Sequence, residues 1–256
     1  MDSQPTETSD LDAQKSLVCM IPKLPKAISY RFRNALDHID RAQALLPIDR
    51  EMASFRAITG EEESATALMM AIQSKGYPDA GKFNLRNHMH KAAVMACVIS
   101  MAPKLEPVLK EFQLIFDFEK CRIDLKVPLS NFDIEGGENY GLQFVEPLGF
   151  VHGKEGGGES DIFNTALESL AAGQGYEHAR QFIAKRANDR NTLLYASDAG
   201  MPASKATRQA LENRKNRSLI LLSLAIMVLQ AKGHQPMVKQ AIPAFLRVIG
   251  KAEKTT

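Results

Sequence analysis

At 256 residues, with 45% hydrophobic and 24% charged side chains, the chain has an ordinary globular composition and room for one large or two small domains. Tryptophan is absent and aromatics amount to 7%, which argues against a large β-sandwich core or an aromatic platform for stacking bases. The net charge of +2 conceals a division, because residues 174–256 hold 14 Lys/Arg against 5 Asp/Glu and residues 1–173 hold 18 against 25. Such a split reads either as a nucleic-acid surface beside an acidic body or as two ends that attract each other within one fold.

Cys19, Cys97 and Cys121 are widely spaced and form no Cys-x-x-Cys, which points to a reducing compartment and no structural zinc. The polar, acidic start MDSQPTETSDLDAQKS reads as neither signal nor transit peptide. The longest apolar run, Leu219–Leu229, is too short for a bilayer. A cytoplasmic protein without a membrane partner is expected.

Residues 1–24 lack periodicity and are expected to form a disordered tail. From about Ile28 to Leu46, Phe32, Ala35, Ile39, Ala42 and Leu46 fall at helical spacing, and Pro47 ends the run. Asp49 is placed to cap a second helix reaching about Ser74, before Gly76 and Pro78. A third helix is expected from about Asn84, broken by Pro103 and Pro107 ahead of a further turn at Val108–Phe116. Long periodic segments joined by short loops predict an antiparallel helical bundle, its first part spanning 25–118.

An insertion over 119–160 follows. CRIDLKVPL and NYGLQFVEPLGF, with Gly136-Gly137 between them, predict a β-hairpin around residues 121–150, which Pro128 and Pro147 would confine to an edge or protruding position. The Gly153–Gly158 loop lacks the Gly-Lys-Ser/Thr ending of a phosphate cradle. Helices then resume at Asp161–Ala172, Tyr176–Ala187, Lys205–Ala231 and Pro236–Ile249 in a basic C-terminal part, 161–256, with RNTLLYASDAGMP as a connection.

On the second helix Glu62 lies near the centre of a face made by Phe55, Ile58, Ala65, Met69 and Ile72, with Glu61 and Glu63 to either side. A carboxylate there needs a partner. His88, on the apolar side of the third helix, is the candidate for a buried polar pair, unless both residues sit at the rim. A di-iron bundle is excluded because no Glu is followed by His three residues later, and no Gly-x-Ser-x-Gly elbow marks a hydrolase. No metal and no cofactor are implied. Arg208, Arg214, Lys215 and Arg217 are candidate phosphate contacts, although a solvated outer face explains them equally well.

AITGEEESATALM, NHMHKAAV and DRNTLLYASDAGMP, in that order, resemble segments of the AbiV-like abortive-infection branch of the HEPN superfamily. The resemblance covers about Ile28–Met101 and Ala187–Leu229, with Ser64-Ala65 where that branch has Gly-Lys. It implies a HEPN-like helical bundle, a possible homodimer, and RNA as substrate of a metal-independent endoribonuclease in bacterial defence or growth arrest. It equally allows a catalytically silent partner-binding or regulatory module. The basic C-terminal half alone suggests a nucleic-acid-binding protein.

HEPN ribonucleases carry an Arg, a polar residue beside it and a His four to six residues beyond. Arg33, Asn34 and His38 match this pattern, and the resemblance implies His38 as general base, Arg33 on the scissile phosphate and Asn34 orienting it. Read from the residues alone, Arg33–Asp37 and Asp37–Arg41 are ion pairs on an exposed face. Five residues of continuous helix also turn Arg33 about 140° from His38, so convergence requires a helix start, a distortion or a second subunit. Arg86 and His90 are the second choice, one residue short of the pattern.

Overall fold

The computed structural model describes residues 8–110, 112–128, 141–150, 162–196, 200–204 and 206–250. It is mostly α-helical: α1 Thr8–Met20, α2 Lys26–Leu45, α3 Arg50–Ser74, α4 His88–Leu109, α5 Ile162–Gly173, α6 Ala179–Thr192, α7 Arg208–Gln230 and α8 Pro236–Val248. A three-stranded antiparallel sheet, in the order β1 Gln113–Asp117, β2 Arg122–Pro128, β3 Gly141–Phe144, lies between α4 and α5 in sequence. Among the described residues no helix is long and apolar enough to cross a membrane.

α3 is the central helix, packed chiefly against α2 and α7 and also against α4. Its sequence suits that position, because Ala53, Ala57, Gly60, Ser64, Ala65, Ala67 and Ala71 are small and buried on several sides. A Cβ at Gly60 would stand 3.2 Å from the Ala35 carbonyl oxygen and from Ile39, so glycine sets the close α2–α3 approach. The Asp49 carboxylate accepts a hydrogen bond from the Met52 amide at 2.8 Å, capping α3. Asp49→Ala should cost about 1 kcal/mol, read as a lowered thermal midpoint.

The largest fully buried side chains, among them Phe32, Met69, Leu167, Ile183, Leu221, Leu222 and Ile226, form one core shared by the helices of both halves. β2 meets it through Ile123, and Leu125 and Val127 are buried on the same face of the strand. Gln230 at the end of α7 pins the sheet, accepting from the Ile123 amide at 2.8 Å and donating to the Ile123 carbonyl at 2.8 Å.

Several expectations are corrected. Residues 8–24, taken as tail, form α1 and a 3-10 turn, with Leu17, Met20, Ile21 and Leu24 buried in the core. Three or four apolar side chains suffice when a core waits to receive them, and so short a stripe is weak as a pattern. Pro103 and Pro107 do not break α4. Each removes one backbone bond, but Met101 packs against Phe163, Ala166, Met237 and Ala244 and holds that half of the helix on α5 and α8.

The expected helical turn before Phe116 is instead β1, paired with β2 from Gln113↔Lys126 to Asp117↔Arg122. The expected hairpin is the β2–β3 pair, with Val127↔Leu142 in register. β2 is therefore the central strand and not an edge. Pro128 is tolerated because it stands at the last position of the ladder. Gly136-Gly137 and Gly153–Gly158 lie outside the described residues.

Candidate functional site

The run Glu61-Glu62-Glu63 sits midway along α3, and each carboxylate meets a different set of helices. Glu63 takes both its bonds from Arg31 of α2, at 2.8 and 3.1 Å. Glu61 accepts from Arg217 Nε at 2.6 Å and from Arg214, both on α7, with Arg186 of α6 at 3.9 Å. Glu62 meets His88 of α4 at 2.8 Å, with Lys91 of α4 and Arg190 of α6 each at 3.8 Å. One turn of one helix thus ties four others together.

The layering is consistent. The Glu61 and Glu62 side chains are 0% and 8% exposed, whereas their cationic partners range from 11% at Lys91 to 37% at His88. Carboxylates form the back of the site and guanidiniums and imidazole its front. Cations outnumber anions there, since Lys91, Arg186, Arg190, Arg214 and Arg217 face Glu61, Glu62 and Asp189. Burial pushes the Asp189 carboxyl above the usual carboxylate range, opposed by Arg186 and Arg214. Burial also draws Arg186 below the usual guanidinium range, opposed by Glu61. The Nε of Arg186 is buried with no hydrogen-bond partner.

His88 is held at both ring nitrogens. Arg190 Nη2 lies 3.0 Å from Nε2, and a guanidinium only donates, so Nε2 is the acceptor and Nδ1 carries the proton given to Glu62. Behind the arginine, Phe55 offers its ring face at 5.8 Å. The imidazole opens onto a cleft of about 520 Å³ between the start of α4 and α6, where Asn84, Asn87, Asn188, Asn191 and Arg86 supply polar groups.

The residues matching the HEPN pattern are not brought together within this chain. Arg33 and Asn34 are exposed on α2, while His38 is buried on the side facing α3. Its Nδ1 accepts from Arg56 at 3.2 Å. The helix is uninterrupted from Lys26, so the 140° separation stands. Asp37 pairs with Arg41 at 2.8 Å on the exposed side.

The second choice fails for another reason. α4 begins at His88, so Arg86 precedes it and shares no helix face with His90. His90 is buried, accepts from the Asn84 amide at 3.0 Å and packs edge-on to Phe245. Of the basic residues on α7, Arg214 and Arg217 turn inward to Glu61, and Lys215 is buried 3.9 Å from Glu212. The solvated outer face is corrected for these three. Arg208 alone is exposed, beside a groove of about 840 Å³ at the α2–α3 turn.

Sequence reasoning missed Glu61, Lys91, Arg186 and Arg190. Local pattern places Arg190 in a connection, but α6 runs five residues beyond Ala187. A single apolar face on α3 would leave Glu61 to one side, and α3 is buried on several sides. The available signal was the acidic triplet inside a helix of small residues.

His38 gives a pH prediction. Burial, and then Arg56, lower its pKa below the usual histidine value, against the raising influence of Asp37 and Glu63. The unfolded chain therefore binds this proton more readily, so the contribution of His38 is fully present above about pH 6.5 and declines as pH falls through that value toward the folded pKa. Thermal midpoints from pH 7.5 down to 5 should fall for the wild type, and less for His38→Gln. Equal slopes for the two would remove His38 as a cause.

No family model, no curated protein and no solved structure matches this chain.

Proposed function

We propose that the protein cleaves RNA without a metal, using His88 as the base, in a cytoplasmic defence or growth-arrest setting. The setting and substrate follow from the HEPN resemblance, and the site is reassigned from His38 to His88. The observation that carries the reading is His88, which lines an open cleft while its ring is held between Glu62 at Nδ1 and the Arg190 guanidinium at Nε2, leaving Nε2 unprotonated.

A phosphodiester entering the cleft draws Arg190 from Nε2 to its non-bridging oxygens. Nε2 then takes the proton of the ribose 2′-hydroxyl as the 2′-oxygen attacks phosphorus. The P–O5′ bond breaks, the 5′-oxygen takes a proton from water, and a 2′,3′-cyclic phosphate remains. Glu62 stabilises the imidazolium formed, and Arg190 meets the charge on phosphorus.

The test is cleavage of end-labelled single-stranded RNA and tRNA in EDTA by wild type, His88→Ala and His38→Ala. Cyclic phosphate ends lost only with His88→Ala support the reading. Loss with His38→Ala alone returns the site to α2. No cleavage by folded wild type favours a silent module, for which the capping of Nε2 by Arg190 already offers a structural reason.

A further inference from the structure

We infer that Arg186, Arg214 and Arg217 form a second phosphate-binding site, adjoining His88, that takes a neighbouring phosphate of the same polynucleotide. The polynucleotide assignment rests on the ribonuclease reading. The anion site itself rests on charge, layering and donor geometry.

The charge does not close internally. Three guanidiniums converge on Glu61, with Asp189 as the next carboxylate, so three positive charges face two negative ones. Partly buried cations without matching anions are costly, and an anionic ligand is the direct remedy.

The layering says where it binds. Glu61 is wholly buried, so it can only hold the arginines from behind. Arg214 and Arg217 are 21% and 25% exposed, and thus form the outer layer. Arg217 commits Nε to Glu61 and Arg214 commits one Nη, which leaves Nη groups on both with no acceptor among the described residues. Arg186 is steered by the Phe182 ring at 5.7 Å and the Met95 sulfur at 3.4 Å, neither of which neutralises it. Guanidiniums fixed by a rear carboxylate, with free forward donors, suit the tetrahedral oxygens of a phosphate.

The spacing joins the two sites. Arg186 and Arg190 are four residues apart on α6, about 6 Å along its axis and on one face. One serves the Glu61 cluster and the other His88, so a strand lying along α6 meets both.

The experiment uses the full chain carrying His88→Ala, so that RNA binds without being cut. Binding of a short labelled single-stranded RNA is followed against salt, with and without Arg217→Gln and with Arg214→Gln. Each change should weaken binding about tenfold and lower the salt slope by about one. Thermal midpoints check that the variants fold, and Arg217→Lys, which keeps the charge on α7, should recover part of the affinity.

Inorganic phosphate and a mononucleotide are titrated in parallel. Saturable binding of these that depends on Arg217, without RNA binding, keeps the phosphate site but assigns it to a small ligand. Unchanged binding of all three probes in folded Arg217→Gln and Arg214→Gln overturns the inference. RNA binding through Arg217 in a wild type that never cleaves would remove the ribonuclease reading and leave this site standing. Cleavage indifferent to Arg217→Gln would do the reverse.

Discussion

Glu61→Ala should lower the stability of the protein by about 3–5 kcal/mol, the range for removing one partner of a buried ion pair. The carboxylate is fully buried and is the point on which Arg214, Arg217 and Arg186 converge. Its loss leaves three partly buried guanidiniums on α6 and α7 facing one another with no carboxylate between them. For a chain of this length the thermal midpoint should fall by on the order of 10 °C.

Glu61→Gln keeps the size and one acceptor but not the charge, and should fall between. A double-mutant cycle with Arg217→Gln separates this account from simple cavity formation. Arg217→Gln should cost less on the Glu61→Ala background than on the wild type, because the charge it removes is then unpaired. Additive losses would show that packing and not charge sets the effect.

His88→Ala should reduce RNA cleavage by about 10²–10⁴-fold, the usual contribution of a general base. Arg190→Ala should cost about 10²–10³-fold, the range for removing one donor to developing charge. Because Arg190 also covers Nε2 of the base, its removal should shift the pH profile as well as the rate. Glu62→Gln keeps the ring oriented but withdraws the charge that stabilises the imidazolium, so it should lower the rate with the fold retained. His38→Ala should leave the rate unchanged within a factor of a few. These expectations are checked by single-turnover cleavage across pH. A wild-type rate matched by His88→Ala would end the assignment.

The two histidines show how far local pattern reaches. Arg33, Asn34 and His38 satisfy a spacing, but spacing along an unbroken helix decides direction as well as distance, and this one points them apart. Burial logic pairs Glu62 with His88, because a carboxylate interrupting an apolar stripe needs a counterpart; the bond forms, but only Glu62 is buried and His88 sits at the rim, 37% exposed. That reasoning found one contact of the network because it needed only two neighbouring helices. It did not reach Arg214 and Arg217, more than 150 residues away in sequence. A basic residue looks the same in sequence whether it faces solvent or a buried glutamate.

By itself, the sequence determined the helices and several of their boundaries. Apolar period, the Asp49 cap, Pro47 and the Gly76–Pro78 stop act locally, within a turn or two, and their free energies are present before any distant contact forms. It also determined the β2–β3 pairing, through short β-branched runs. Tertiary structure alone decided that residues 8–24 are helical, that α4 continues through two prolines, and that β2 is a central strand. It alone decided that Glu61, and not only Glu62, is the buried hub. These outcomes depend on what packs around α3 from every side, and long-range burial outweighs local preference wherever the two conflict.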